Sequence, residues 1–319
     1  MIIGTQLGAR SLKNIFPPLT SILNSPAMNP DKKQTGEKRG TPSARTVKSK
    51  VLPASARSPS EKAAAKKSAK SPRPRWTLAE AMRELEKAGA AQTRKTYARH
   101  GAPEPMFGVS FATLKALTKQ IDVDHELALA LWDTGNFDAQ NLAVKIVDPA
   151  RMTPDDLDRW VRGSSWALMC GSYAAMLPAE GPHAAMKSVQ WLNSPNERER
   201  TAGWTLLGQL AQRDVTSPDA VFEQRLAEIE RTIHSAPNVE REVMNRTVIA
   251  IGCRNAALRK AALAAAKRIG KVEVDHGDTA CKTPDAAEYI EKTWAHAKAK
   301  GFESPAAQER NREAPRRRC

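Results

Sequence analysis

The stretch SFATLKALTKQIDVDHELALALWDTGNFDAQNLAVKIVDPARMTPDDLDRWV, residues 110–161, decides the fold. It holds four apolar segments, each opened by a residue suited to start a helix. Ser110 precedes FATLKALTKQI, Asp124 precedes HELALALWD, Asn136 precedes FDAQNLAVKIV, and Thr153 precedes PDDLDRWV. Short polar side chains there accept hydrogen bonds from the first free N–H groups of a helix. Pro154 falls at the first helical position, where its missing N–H costs nothing. Apolar side chains recur three and four residues apart, and the alternation of a half-buried strand is missing.

Outward from this stretch the same texture continues. Upstream, Thr77 caps a segment with Leu78, Ala81, Met82 and Leu85 on one face, and a second helix is expected over 91–99. The break GAPEPMFGVS, with two prolines and two glycines, separates these from Ser110. Downstream, Ser164–Ser165 opens WALMCGSYAAML, and further helices fit 182–192, 196–212, 218–234, 238–252, 255–269 and 284–300. Only KVEV at 271–274 alternates, and it is too short to build a sheet. Helix pairs follow one another at about 35–45 residues, the period of HEAT and armadillo arrays. Such pairs cannot bury their apolar faces alone and stack into a curved solenoid with one concave surface. The expected fold is therefore all-α, a solenoid of HEAT/armadillo-like repeats over 76–297. A globular helical bundle is the competing architecture.

Charge divides the chain differently. Its 319 residues carry a formal charge of +15. Residues 1–75 hold 16 Lys/Arg against 3 Asp/Glu, and residues 298–319 hold 7 against 3, which leaves 27 against 29 for 76–297. The expected organisation is a disordered basic extension (1–75), the repeat domain (76–297) and a basic C-terminal tail (298–319). Within the extension, 29–75 has almost no large apolar side chain and cannot offset its chain entropy by burial. Basic tails attract polyanions without reading sequence. The near-neutral repeat domain must segregate its charges if it also grips a phosphate backbone. The first 28 residues lack acids and carry Arg10 and Lys13, which fits an organelle transit peptide or a plain extension upstream of Met28. No run of 18 apolar residues occurs, so no membrane helix is expected. Four cysteines without a CxxC pair suit reduced thiols in a cytoplasmic setting. A monomer associated with the nucleoid is expected.

The segments GAPEPMFGVS, LWDTGNFDAQNLA, GSSWALMC and NERERTAGWTLLGQLA follow one another in an order that resembles the DNA alkylation repair glycosylases of the HEAT-like repeat type. The resemblance covers roughly 76–297. It implies a curved helical array holding duplex DNA on its concave face. It also implies hydrolytic release of cationic alkylpurines, such as 3-methyladenine and 7-methylguanine, without base flipping. A purine already positively charged leaves readily, so the protein needs an aromatic face or anion near the sugar, an anchored phosphate and a placed water. Water is the only co-reactant, and neither metal nor cofactor is implied. The family's Trp falls on Trp166. The family's Asp, four positions on, falls on Cys170, a neutral thiol about one turn into a helix, where the dipole has faded. Asp138, Asp156 or Asp158 would have to supply the missing carboxylate through the fold. The phosphate-side Arg matches Arg200, with Arg198 beside it. The second Trp, due near MNRTVIAIG, is absent, and Ile249 or a neighbour stands in its place.

Each residue also has a structural reading. Trp166 can anchor two repeats, and Arg200 can be a solvated helix charge. Trp132, Trp160, Trp191 and Trp204 occupy apolar helix positions and are expected in the core. His125 is expected as a neutral surface ring. A second polar cluster, Asp275, His276 and Asp278, lies in KVEVDHGDTACK. Such an Asp/His cluster can bind a metal or do acid–base work, but it reads rather as a loop that satisfies its own amides, locks the last repeat, or touches DNA with Lys282 on a phosphate. Three functions follow: an alkylpurine glycosylase with an altered catalytic position, a DNA-structure-binding array that has lost excision, and a protein-interaction scaffold.

Overall fold

The computed structural model describes residues 75–166 and 170–318, and the side chain of Arg316 lies outside the description. The basic extension 1–74, residues 167–169 and Cys319 also lie outside it.

The array is all-helical, and no strand occurs among the described residues. Its helices are α1 (Leu78–Lys87), α2 (Ala91–Arg99), α3 (Phe111–Ile121), α4 (His125–Asp133), α5 (Phe137–Ile146), α6 (Pro154–Gly163) and α7 (Cys170–Met176). Then come α8 (Ala184–Leu192), α9 (Glu197–Arg213), α10 (Asp219–Thr232), α11 (Asn238–Gly252), α12 (Ala256–Ile269), α13 (Ala286–Ala299) and α14 (Pro305–Arg310). The caps work as the sequence predicts. Thr77 and Thr153 form reciprocal capping boxes with Glu80 and Asp156, and Ser110, Asp124 and Asn136 accept from the first turns of α3, α4 and α5. Asn196, Asn255 and Asp285 do the same for α9, α12 and α13.

Two layers result. Helices α5, α7, α9, α11 and α13 pack side by side as an inner layer, and α4, α6, α8, α10 and α12 back them. Two apolar clusters fill the space between, one from Ala81 to Leu206 and one from Leu192 to Ile290. Trp132 and Trp160 stack with ring centroids 4.2 Å apart in the first cluster, and Trp191 and Trp204 are also buried, as their apolar positions predict. This is the HEAT-like solenoid expected, not a globular bundle.

Two readings are corrected. His125 is buried, not a surface ring, because α4 turns its first residue inward beneath the cap. The described part of the C-terminal segment, 298–318, is not a free tail: α14 seats Ala306 fully buried, and Arg317 is 3% exposed. The sequence hides this because the segment's grip on the array is through arginines, which pattern reading assigns to solvent.

Candidate nucleic-acid interface

The site begins at the turn between α6 and α7. Ser164 is buried and caps α6. Arg198, at the start of α9, donates from Nη1 to the carbonyls of Arg162 (2.5 Å) and Ser164 (3.4 Å). The turn is thereby fastened to the next repeat. Trp166 follows it, half-buried, and packs against both apolar clusters. Gly171 lies against it: a Cβ there would fall 2.9 Å from the Trp166 ring. Trp166 is thus at the seam between the clusters.

The Cys170 thiol, which the resemblance sets at the family's Asp, is inert. Cys170 is fully buried, and burial pushes its pKa up to about 12. It stays protonated at neutral pH and offers no negative charge to a cationic sugar.

The three carboxylates that might have replaced it are held elsewhere. Asp138 is fully buried under the 107–109 segment and accepts the backbone N–H groups of Phe107 (2.6 Å), Gly108 (2.9 Å) and Val109 (2.9 Å). Asp156 closes the cap of α6 and pairs with Arg159 (3.2 Å). Asp158 accepts from Lys187 Nζ (2.7 Å), Trp191 Nε1 (2.7 Å) and Gln190 Nε2 (3.2 Å). Burial alone would raise the Asp158 carboxyl, but the bonds from Lys187 and Trp191 outweigh it and hold the group below the usual carboxylate range.

Arg200 is equally engaged. Its Nε and Nη2 reach the carboxylate of buried Glu240 at 3.2 and 3.0 Å, and Nη1 donates to the carbonyls of Pro195 (2.9 Å) and Ser194 (3.3 Å). Glu240 also accepts from Trp204 Nε1 at 3.2 Å. The charge of Arg200 is balanced within the protein, and its side chain is 29% exposed. The second polar cluster closes on itself. Asp275 accepts from Gly277 N–H (2.8 Å), His276 Nε2 meets Thr283 Oγ1 (3.0 Å), and Asn238 brackets Asp275 through its backbone. Asp278 and Lys282 are exposed on the same loop. Among the described residues no group of three or more His, Cys, Asp or Glu is placed to hold a metal ion.

The feature that sequence reasoning missed is a groove of about 590 Å³ across α7, α9, α11 and α13. Tyr173 and Met176 come from α7, Thr205, Gln209 and Gln212 from α9, Arg246, Thr247, Ile249 and Ala250 from α11, and Tyr289 from α13; Arg312 closes one end. No carboxylate is among its lining side chains, but both guanidinium groups are paired beside it, Arg246 with Glu242 (2.5 Å) and Arg312 with Glu309 (2.7 Å). Ile249 is part of its wall. Thr247 Oγ1 donates to Trp204 O (2.9 Å) and ties the two helices beneath the groove. The signal was present in the sequence as a polar or small stripe at helical spacing on otherwise buried helices: Thr205, Gln209 and Gln212, then Val243, Thr247 and Ala250.

Comparison with known proteins agrees with this architecture. The sequence model of the DNA alkylation repair enzyme family matches residues 81–290. Two relatives, the uncharacterized proteins Lin0241 of Listeria innocua and Lmo0209 of Listeria monocytogenes, are each 28% identical over 215 residues, covering 66% of this chain and 93% of their own length. A solved structure with a TM-score of 0.64 and 30% identity covers 72% of this chain and 98% of its own. That protein is described as one of a new family related to the HEAT-like repeat DNA glycosylases, with affinity for branched DNA structures. With the helical repeats and the matched span in agreement, the chain belongs to the DNA alkylation repair enzyme family.

Proposed function

We propose that this protein binds DNA by shape, holding branched or bent DNA against its concave face, and that it does not excise alkylated bases. The observation that carries the reading is the carboxylate-free groove with Arg246, Arg312, Tyr173 and Tyr289 in its wall. Phosphates are repelled by carboxylates and drawn to guanidinium groups, and exposed aromatic rings receive unstacked bases at a branch. A protein-interaction scaffold has no such need to exclude acids from its concave face.

The argument against excision is chemical. The sugar cation formed as a purine departs needs a nearby anion. Cys170 is neutral, and Asp138, Asp156 and Asp158 each serve the fold. The affinity for branched DNA of the related solved structure supports the same reading. Recognition of this kind rests on backbone contacts and deformability, so no base-specific contact is required.

The test is competitive binding of a four-way junction and a linear duplex of equal length by the full chain, across a salt series. The junction is expected to be favoured. Arg246→Glu is expected to weaken both complexes by about tenfold and to lower the salt slope by about one. Release of 3-methyladenine or 7-methylguanine from methylated duplex, abolished by Trp166→Ala, would overturn the reading in favour of a glycosylase.

A further inference from the structure

The C-terminal segment, residues 304–318, lies beyond the 81–290 span matched by the family. It crosses the C-terminal ends of the inner helices one after another. Ala306 N–H donates to the carbonyl of Cys253, the cap of α11, at 3.0 Å. Arg310 Nη1 donates to Gln212 O, at the end of α9, at 3.1 Å. Arg317 Nη1 donates to Val144 O (2.8 Å) and Lys145 O (3.2 Å) at the end of α5. Its Nε and Nη2 grip Glu180, in the 3-10 turn after α7, at 3.1 and 3.0 Å. Arg318 Nη2 reaches Asp122, the cap of α3, at 2.7 Å. The clasp is reciprocal, since buried Lys145 donates from Nζ to Arg317 O at 2.7 Å.

The physical reason is the chemistry of helix ends. The last carbonyls of a helix have no partner within it and carry partial negative charge. A row of such ends is an acceptor ladder, and arginine, with its planar fork of donors, fits it. The consequence is mechanical. In a solenoid each repeat touches only its neighbours, so curvature is the sum of small, independent rotations. A segment tied to α11, α9, α7, α5 and α3 at once removes that independence.

We propose that residues 304–318 are a strap that fixes the curvature of the array and, through it, the shape selectivity of the groove. The second half rests on the DNA-binding reading above; the first does not. Arg312, which lines the groove, rides on the same strap, so loss of the strap also removes one wall.

The experiment measures curvature and binding separately. Spin labels are placed through Lys115→Cys on α3 and Lys292→Cys on α13, both exposed, with Cys281 and Cys319 replaced by serine. Distance distributions are recorded for the full chain, for Arg317→Ala, and for the doubly substituted Arg310→Ala/Arg318→Ala. The double variant cuts two ties without emptying the buried Arg317 site and keeps the test decisive if Arg317→Ala does not fold. A broadened distribution is expected, together with a junction-over-duplex preference that falls about fivefold while duplex affinity barely changes. An unchanged distribution in the folded variants overturns the strap, whether or not the protein binds DNA. A broadened distribution with an unchanged preference overturns its link to selectivity.

Discussion

Restoring the family carboxylate by Cys170→Asp looks, from alignment of the motifs, like a route to base excision. The structure argues that it will fail. Position 170 is fully buried in the first apolar cluster. For the native thiol, burial moves the pKa from 9.0 to about 12. A comparable shift on a carboxylate, about three units, corresponds to about 4 kcal/mol between its charged and neutral forms. The sign follows from linkage. The folded-state pKa of the new Asp lies above its unfolded value, so the penalty is absent below about pH 4. It grows by about 1.4 kcal/mol per pH unit and levels off above the raised pKa. For a domain of this size about 4 kcal/mol is roughly 8–16 °C of midpoint. The variant's deficit in thermal unfolding is therefore expected to be smallest near pH 4, where only burial of the neutral carboxyl remains, and larger by that margin at pH 8. Assays of methylated DNA at pH 7 are expected to release no base. A variant that keeps the parent midpoint at pH 8 and gains excision would refute the reasoning, because its carboxylate would then be solvated and facing the DNA.

Other perturbations separate structural from functional polar groups. Asp138→Asn keeps the size of the side chain but turns one acceptor oxygen into a donor facing the N–H groups of residues 107–109; a loss of about 1–3 kcal/mol is expected in denaturant unfolding. Lys187→Met removes one half of the buried pair with Asp158, whose members are 1% and 12% exposed at the side chain. It is expected to destabilise by about 3–5 kcal/mol at pH 7. Because the Asp158 pKa is held low, the pair's contribution is present above the unfolded carboxylate value and fades as pH falls through the lower folded one, so the deficit should shrink in acid melts. Removing residues 1–75, with their excess of 13 positive charges, is expected to flatten the salt dependence of DNA binding while leaving the junction preference in place. An equal loss of preference would mean that the extension, not the groove, reads shape.

The helices were legible because their determinants are local. Thr77, Ser110, Asp124, Asn136 and Thr153 each bond to the backbone within three residues, and apolar spacing marks which face turns inward. Pattern reading also placed Trp132, Trp160, Trp191 and Trp204 in the core, where the structure has them. Trp166, by contrast, is only half-buried, at the seam of the two clusters.

Partnership was what the sequence by itself could not determine. Arg200 and Glu240, or Asp158 and Lys187, are 40 and 29 residues apart, and nothing local couples them. An exposed phosphate contact and a buried ion pair therefore look alike along the chain. The sequence determined that the chain is a helical array of capped, amphipathic segments. Only the tertiary structure decided that Asp138, Asp156 and Asp158 are each engaged by the fold, that the groove's lining side chains include no carboxylate, and that the basic C-terminal end is a strap across helix ends. Charge and capping act locally along a helix, whereas desolvation and the row of carbonyls at neighbouring helix ends exist only once the repeats have stacked.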